Sequence, residues 1–244
     1  MIEQAMLIEY AAEYGICVTP AQAQRFAVYA ELLVDWNQRI NLTAITAPHE
    51  IVLKHFVDSL TALTVLPPRT EEPLSLIDVG TGAGFPGVPL AILRDDIQLT
   101  LLDSLNKRLV FLRELCAAVE VPVTLLHARA EEGGRKPELR ERFDVATARA
   151  VAALPTLCEY CLPFVKVGGR FIAMKGPDGG AELQAAEKAC RLLGAKCGEM
   201  RQIWLPNRPQ AADVSERRLI VLEKVSPTPA KYPRQSAKIA KQPL

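Results

Sequence analysis

The stretch LIDVGTGAGFPG at positions 76–87 places four glycines within eight residues and is the clearest chemical signal in the chain. Glycines at this density let the backbone turn sharply and approach a ligand closely. The pattern GxGxxG at 82–87 is the fingerprint of dinucleotide-binding loops, which serve hydride transfer. The overlapping pattern DxGxGxG at 78–84 is typical of loops that hold S-adenosylmethionine, a methyl donor. A glycine-rich turn without a ligand is a third interpretation, so the surrounding residues must decide.

One acidic residue and one proline favour S-adenosylmethionine, and a second acidic residue suits either ligand. Asp78 lies two residues before the first glycine, where a carboxylate suits a ligand with an amino group and repels a pyrophosphate. Pro86 interrupts the smooth helix start that dinucleotide-binding loops usually have. Asp103 ends the next predicted strand and can accept both ribose hydroxyls, which serves either ligand. We therefore expect S-adenosylmethionine as the cofactor, with NAD as the alternative.

The elements that must position these residues alternate along the chain. Strands are predicted at 74–80, 98–103, 123–132, 143–151, 168–176, 199–206 and 217–224. Helical segments follow the first, second, fourth and fifth strands, and the last two strands follow each other directly. The sequence thus predicts an α/β fold of the Rossmann-like class I methyltransferase type. Its seven-stranded, mostly parallel sheet ends in a C-terminal antiparallel hairpin and carries an N-terminal helical cap.

Composition divides the chain into three regions. Residues 1–68 have helical periodicity. A helix is predicted to begin at Thr19-Pro20, and the region ends at a Pro-Pro pair. These features predict a helical cap packed on the catalytic domain. Residues 69–225 form the cofactor-binding domain. Residues 226–244 form a basic, proline-containing tail. From Lys224 onward there are five basic residues, no acidic residue and four prolines. We expect this tail to be irregular and to order only on a polyanion.

Bulk properties exclude several classes of protein. No run of 18 apolar residues exists, so no membrane-spanning helix is expected, and the acidic N-terminus does not resemble a signal peptide. We therefore expect a cytoplasmic protein with six reduced cysteines. Cys158 and Cys161 form a CxxC pair without a second ligand pair, which predicts ordinary helix residues and no metal site.

The fourth strand narrows the class of methyl acceptor. Enzymes that methylate exocyclic amines of bases often carry an Asn/Asp-Pro-Pro-Tyr/Phe motif after this strand, whereas this chain has TARA at 147–150. A cysteine nucleophile for C5 methylation is also missing from that position. Guanine N7 needs neither device, because its lone pair lies in the ring plane and carries no proton. Catalysis would then consist mainly of positioning.

Several motifs together carry a family resemblance. They are WN at 36–37, NLT at 41–43, HFVDS at 55–59, DVGTGAGFPGVPLAI at 78–92, LLDSLNKRLVFL at 101–112, ARAEE at 128–132, TARAVAAL at 147–154, MKG at 174–176 and the tail YPR…AKIAKQPL. With these motifs the chain resembles the glucose-inhibited division protein B family, also called the small-subunit ribosomal RNA guanine-N7 methyltransferase G family. The resemblance implies methyl transfer from S-adenosylmethionine to N7 of one guanine in the decoding-region loop of 16S ribosomal RNA. It implies 16S ribosomal RNA or the 30S subunit as partner, and we expect a monomer.

Position and resemblance together give three sets of candidate residues. The predicted cofactor-binding residues are Asp78, Gly80, Gly82, Gly84, Phe85, Asp103, Ser104, Ala130, Glu131 and Arg149. The predicted catalytic residues are His55, Asp58, Arg149 and Lys175. The predicted RNA-binding residues are Asn41, Lys107, Arg108, Arg149, Lys175, Arg234, Lys238 and Lys241. Structural roles are the alternatives for most of them: core packing for Phe85 and His55, a surface acid for Glu131, and a solubilising tail.

Two other functions remain open at this point. A methyltransferase that acts on a small molecule or a protein would share the fold but would gain no affinity from RNA. A non-catalytic RNA-binding module is disfavoured by the intact glycine loop and by Asp103.

Overall fold

A seven-stranded sheet forms the centre of the molecule in the computed structural model, which describes residues 2–206 and 215–244. The strands are β1 (Leu74–Val79), β2 (Ile97–Asp103), β3 (Val123–His127), β4 (Phe143–Arg149), β5 (Val165–Lys175), β6 (Ala195–Leu205) and β7 (Ser215–Lys224). Their order is β3-β2-β1-β4-β5-β7-β6. The first five strands are parallel, and β7 runs antiparallel to both β5 and β6. The predicted fold class is therefore confirmed.

The longest helix, of 21 residues, lies in the N-terminal region, and the helices that cross between strands have 4 to 14 residues. They are α1 (Gln4–Ala12), α2 (Pro20–Ile40), α3 (Pro48–Glu50), α4 (Asp58–Thr61), α5 (Gly87–Leu93), α6 (Asn106–Ala118), α7 (Ala130–Gly133), α8 (Leu154–Cys161), α9 (Gly179–Leu192) and α10 (Ser236–Lys241). A π-helical turn, Ile51–Val57, joins α3 to α4, and a 3-10 turn, Ala62–Val65, follows. We call residues 48–65 the cap segment.

Parallel register brings the chemically important strand ends to one edge of the sheet. Asp78 of β1 lies opposite Thr147 of β4, and Asp103 of β2 lies opposite His127 of β3. Arg149, the last residue of β4, lies opposite Met174 of β5. Ligands of open α/β sheets bind outside these carboxyl ends, so this edge is where a site is expected.

Each face of the sheet has its own apolar core. On one face, α1, α2, the cap segment, α5 and α6 bury aromatic residues such as Phe26, Phe56 and Phe111. On the other face, α8 and α9 pack over Phe164 and Phe171. The N-terminal helices thus share a continuous core with the sheet, which fixes them relative to its carboxyl edge.

The start of α2 follows the predicted capping box. The Thr19 hydroxyl accepts a hydrogen bond from the Gln22 amide at 3.2 Å, and the Gln22 side chain accepts one from the Thr19 amide at 2.9 Å. Reciprocal capping satisfies two amides that the first helical turn would leave unpaired. It sets the start of a helix that carries Tyr29 to the glycine loop.

The C-terminal tail is ordered, and the prediction of an irregular tail is wrong. Tyr232 and Ile239 are buried, and residues 236–241 form α10. Lys224 belongs to β7 and is itself buried, with its ammonium donating to the carbonyls of Leu162 and Val165. Composition suggested an irregular tail because the tail has few apolar residues, but Tyr232 and Leu244 pack in the core of the α8–α9 face.

Two further sequence expectations concern membrane-spanning helices and the cysteine thiols. Within residues 2–206 and 215–244, no helix has the length and hydropathy to cross a membrane. Cys158 and Cys161 are buried free thiols on α8, and the Cys158 sulfur lies 3.7 Å from that of Cys190 on α9. The CxxC pair is thus part of a helix–helix packing surface.

Candidate functional site

The glycine loop is folded around the carboxylate of Asp78. One oxygen accepts the Thr81 hydroxyl at 2.6 Å and the Gly87 amide at 3.1 Å, and the other accepts the Thr147 hydroxyl at 2.9 Å. The side chain is 0% exposed, so it cannot face a ligand as we expected from the sequence. Burial raises the pKa of Asp78, although its three hydrogen bonds favour the charged form and act to lower that pKa. Asp78 is therefore a buried residue that fixes the shape of the glycine loop.

Two loop glycines are required by close neighbours and by backbone conformation. Gly80 and Gly84 have φ of 69° and 99°, in the region that L-residues rarely adopt. A Cβ at Gly84 would lie 2.6 Å from the Tyr29 hydroxyl, and one at Gly80 would lie 2.8 Å from the Val151 side chain. Tyr29 donates in turn to the Ala83 carbonyl at 2.6 Å, so α2 supports the loop directly.

Asp103 ties β2 to the same loop. One carboxylate oxygen accepts the Gly82 amide at 3.0 Å and Arg108 at 3.3 Å, and the other accepts the Leu105 amide at 2.9 Å. The residue is only 2% exposed. Its neighbour Ser104 is exposed, at the rim of the sheet edge. Asp103 thus fixes the position of Gly82 and leaves Ser104 as the accessible polar group.

A cleft of about 160 Å³ opens beside Gly80, and we call it the narrow cleft. It lies between the glycine loop and the exits of β2, β3 and β4. Its lining residues include Gly80, Ser104, Arg129, Ala130, Glu131, Val151 and Tyr160. Four of the residues predicted to bind a cofactor therefore share one cavity.

A second cleft, of about 400 Å³, lies where the cap segment meets the ends of β4, β5 and β7, and we call it the wide cleft. Polar and charged side chains dominate its lining: Lys54, His55, Asp58, Arg149, Lys175, Asp178, Glu182 and Arg217. All four predicted catalytic residues line it. Arg149 belongs to this cleft, and Val151, two residues later, belongs to the narrow one, so the two clefts share the segment at the end of β4.

Arg149 is held in place by the cap segment. One terminal nitrogen, Nη1, donates to the carbonyls of Lys54 at 3.2 Å and His55 at 3.4 Å, and to the Asp58 carboxylate at 3.0 Å. The guanidinium carbon lies 4.8 Å from the centre of the Phe85 ring. These contacts place a fixed cation between the glycine loop and the wide cleft.

His55 is a neutral part of this arrangement. Its Nε2 lies 2.8 Å from the Thr43 hydroxyl, its Nδ1 lies 3.5 Å from Arg149, and its ring stacks on Phe85 at 4.6 Å. Burial and the charge of Arg149 lower the pKa of His55 to about 4. Because a guanidinium can only donate, Nδ1 is the acceptor and Nε2 carries the proton toward Thr43.

Phe85 lies beneath these groups. Its ring is buried and stacks on Tyr29 at 5.2 Å, with His55 and Arg149 in contact as well. Phe85 therefore positions the cation and the imidazole as part of an aromatic cluster.

Asp58 is a buried partner for two arginines. Its Oδ2 pairs with Arg149 at 3.0 Å, and its Oδ1 lies 3.4 Å from Nε of Arg217 on β7. The side chain is nearly inaccessible, so it orients Arg149 and does not reach a ligand. Lys175 is likewise paired: its ammonium contacts Glu182 and the Ala152 carbonyl, both at 2.9 Å. Lys175 is not the free cation that its strand-end position suggested.

Comparison with known proteins decides the family. The model of the family described as rRNA small subunit methyltransferase G, or GidB, matches residues 22–208. The chain belongs to this family. Membership confirms the resemblance derived from the motifs and the prediction of a methyltransferase that uses S-adenosylmethionine.

Relatives align along nearly the whole chain. The chain is 46% identical over 240 residues to "Ribosomal RNA small subunit methyltransferase G" of Acetivibrio thermocellus, which covers 98% of this chain and 96% of that protein. It is 45% identical over 234 residues to the protein of the same name from Lactobacillus johnsonii, with 96% of each chain covered.

Solved structures support the fold alone. The YcgJ protein of Bacillus subtilis is similar with a TM-score of 0.52 and 14% identity, over 70% of this chain and 100% of that one. TYW2 of M. jannaschii, solved in complex with AdoMet, is similar with a TM-score of 0.50 and 15% identity, over 64% and 71%.

The residues that we predicted to bind RNA differ in how far they are exposed to solvent. Asn41, Lys107, Lys238 and Lys241 are exposed, and Arg108 is half-buried beside Asp103. Arg234 differs, because its guanidinium pairs with the buried carboxylate of Glu159 at 2.7 Å. This pairing leaves Arg234 unsuited to the phosphate contact that we expected of it.

Sequence reasoning missed several residues that line the two clefts, among them Lys54, Asp178 and Glu182 of the wide cleft. Arg129, Val151 and Tyr160 line the narrow cleft, and Arg217 lines the wide one. Arg129 and Val151 lie within the motifs at 128–132 and 147–154, so the strand-end rule could have included them. Tyr160 and Arg217 lie outside the motifs, and only the packing of α8 and β7 brings them to the site.

Proposed function

We propose that this chain transfers a methyl group from S-adenosylmethionine to N7 of a guanine in the decoding-region loop of 16S ribosomal RNA. The observation that carries the proposal is the position of Arg149 between two clefts that share one segment of chain. One cleft adjoins the glycine loop, and the other is lined by paired charges from the cap segment and β5. Such neighbouring clefts suit a donor and an acceptor that must meet in line.

The polar groups and the bare backbone that line the narrow cleft suit S-adenosylmethionine. Gly80 presents a backbone without a side chain in the wall of the cleft, next to Val151, and Ser104 offers an accessible hydroxyl. Ala130 and Glu131 follow β3, where adenine lies in doubly wound sheets. Asp103 accepts a hydrogen bond from the Gly82 amide and so holds the loop in place. We assign Asp103 to the end of the cleft that binds the ribose. The cofactor supplies a methyl group on a positively charged sulfur.

The wide cleft suits an acceptor that needs no general base. Asp58 and Glu182 are both ion-paired, and His55 is neutral at pH 7 with its pKa near 4. Guanine N7 attacks with an in-plane lone pair, the carbon–sulfur bond breaks, and the positive charge moves from sulfur to the base. The residues need only hold the base in line, and Arg149 offers a planar guanidinium beside it.

We further propose 16S ribosomal RNA, free or within the 30S subunit, as the partner of a monomeric cytoplasmic enzyme. The relatives named above are ribosomal RNA methyltransferases, and exposed cations such as Lys107, Lys238 and Lys241 can contact phosphates. A methyltransferase for a small molecule or protein is the competing function, and it would use the narrow cleft in the same way.

The test is transfer of labelled methyl from S-adenosylmethionine by the purified full chain. Acceptors are 16S ribosomal RNA and 30S subunits that lack the modification, with 23S ribosomal RNA and bulk protein as controls. We expect label in 16S RNA or in 30S subunits and none in the controls. Label in bulk protein, or no label in either 16S substrate, would contradict the proposal. Calorimetric binding of NAD instead of S-adenosylmethionine would contradict it at the cofactor.

A further inference from the structure

We infer that the C-terminal segment forms part of the cofactor site, with Ser236 as a positioning residue for the wall of the narrow cleft. This inference goes beyond the proposed function and rests on it only for the placement of S-adenosylmethionine in that cleft. It does not depend on which base, or which kind of acceptor, receives the methyl group.

Ser236 contacts residues that line the narrow cleft. Its hydroxyl accepts a hydrogen bond from Nη2 of Arg129 at 2.9 Å. Through Nε, the same guanidinium donates to the carboxylate of Glu131 at 2.7 Å. Arg129 is thus held at two points, one on its own turn after β3 and one on the tail. The tail hydroxyl and the carboxylate proposed to flank adenine are joined by a single side chain.

The Ser236 hydroxyl also influences two other lining residues. It favours the charged forms of Glu131 and Tyr160 and so acts to lower the pKa of each side chain. Burial acts to raise the pKa of Glu131, but the hydrogen bond from Arg129 and the nearby Ser236 hydroxyl help to bring it below its ordinary value. Burial raises the pKa of Tyr160. Ser236 therefore holds Arg129 by a hydrogen bond and acts on the ionisation of two more side chains of the cleft wall.

The tail is anchored on both sides of Ser236. Before it, Arg234 forms a two-point ion pair with Glu159, with Nε at 2.9 Å from Oε1 and Nη2 at 2.7 Å from Oε2. After it, Ile239 is fully buried. Glu159 precedes Tyr160 on α8, so the anchor and the cleft wall are neighbours in one helix. This double anchoring gives Ser236 a fixed position from which to orient Arg129.

Loss of the hydroxyl removes one of the two anchors of Arg129. The Arg129 side chain is about half exposed, so without the tail contact it gains freedom at the rim of the cleft. Because the contact is half exposed, we expect it to count as one hydrogen bond of ordinary strength, whose loss changes affinity by roughly fivefold to tenfold. We expect this loss in cofactor binding, in the absence of any RNA.

The experiment compares Ser236→Ala with Ser236→Thr in the full chain, by calorimetric titration with S-adenosylmethionine. We expect the Kd to rise roughly fivefold to tenfold in the alanine variant and to stay near the wild-type value in the threonine variant, which keeps the hydroxyl. Titration with 5′-methylthioadenosine, which lacks the amino-acid part, is expected to show the same factor. Ala240→Ser, at an exposed position of the same helix, is the control and is expected to leave the Kd unchanged.

Three results would overturn the inference. They are an unchanged Kd in Ser236→Ala, an equal loss in Ser236→Thr, or a loss in Ser236→Ala that only accompanies a matching drop in Tm. Failure of the proposed function is separable, because these titrations contain no RNA. A chain that shows the Ser236 effect but methylates no 16S RNA would overturn the proposed acceptor and leave the tail's role standing.

Discussion

Arg149 lines the wide cleft two residues before Val151 of the narrow cleft, and several contacts fix it there. Carbonyls of the cap segment, the carboxylate of Asp58 and the ring of Phe85 fix its position, although the residue itself ends β4. The sequence identified Arg149, His55 and Asp58 as candidates from their motifs. It could not assign Asp58 to a purely positioning role, because that role depends on burial against Arg217 across the molecule.

Arg149→Ala is expected to lower kcat at least tenfold while the Kd for S-adenosylmethionine changes less than threefold, because positioning effects of this kind act on transfer more than on binding. Arg94→Ala is the matched control, since Arg94 is a similarly buried arginine in an ion pair far from the site. It is expected to cost stability but to keep kcat. Equal losses of kcat and cofactor affinity in Arg149→Ala would count against this role.

His55 makes a pH-dependent contribution to stability. Burial and Arg149 lower its pKa from 6.5 to about 4, so between these values the unfolded chain binds more protons than the folded one. Stability therefore falls as pH falls through this window, by about 2 kcal/mol from pH 7 to pH 5. His55→Gln is expected to flatten this dependence in chemical denaturation, whereas His49→Gln, at an exposed site, is not. An unchanged slope in His55→Gln would refute the assignment.

At the scale of elements, strand ends were predictable because each apolar run stops at a polar or glycine residue. β1, β2 and β4 end within a few residues of the predicted positions. The strands β5, at Val165, and β6, at Ala195, begin three and four residues earlier than predicted. In both strands the first residue is buried but the next three are exposed, and the missing apolar alternation hides these residues from sequence patterns. The π-helical turn at Ile51–Val57 also has no sequence signature, yet it supplies the carbonyls that hold Arg149.

The glycine loop gives a prediction at this scale. Gly80→Asp is expected to abolish binding of S-adenosylmethionine, because a side chain there would enter the space beside Val151 and force a strained backbone. Calorimetry measures the effect. Gly180→Ala is the control, since a Cβ at Gly180 meets nothing within 4 Å. Retained cofactor binding in Gly80→Asp would contradict the assignment of the narrow cleft.

At the scale of the whole molecule, the structure changes the role of the tail. The sequence suggested an appendage that orders on RNA, whereas Tyr232, Arg234 and Ile239 dock it on α8 and α9. Composition could not reveal this, because the partner of Arg234 is a glutamate 75 residues earlier that is 0% exposed. Lys238 and Lys241 are exposed, and their proposed contacts with RNA phosphates can be tested by substitution.

Arg234→Ala is expected to destabilise the folded chain by about 3 kcal/mol, because it leaves Glu159 buried and unpaired. Denaturant unfolding measures the change. Arg39→Ala breaks an exposed pair with Asp35 and is expected to change stability by less than about 0.5 kcal/mol. Equal, small effects in both variants would show that the tail is loosely attached.

The most direct measurement is nucleoside mass spectrometry of 16S ribosomal RNA from cells that lack this chain, before and after treatment with the purified protein and S-adenosylmethionine. We expect one N7-methylguanine to be missing from the decoding-region loop before treatment and restored after it. An unchanged level of N7-methylguanine in the untreated RNA, or a methyl group restored at another atom, would contradict methylation of guanine N7 by this protein.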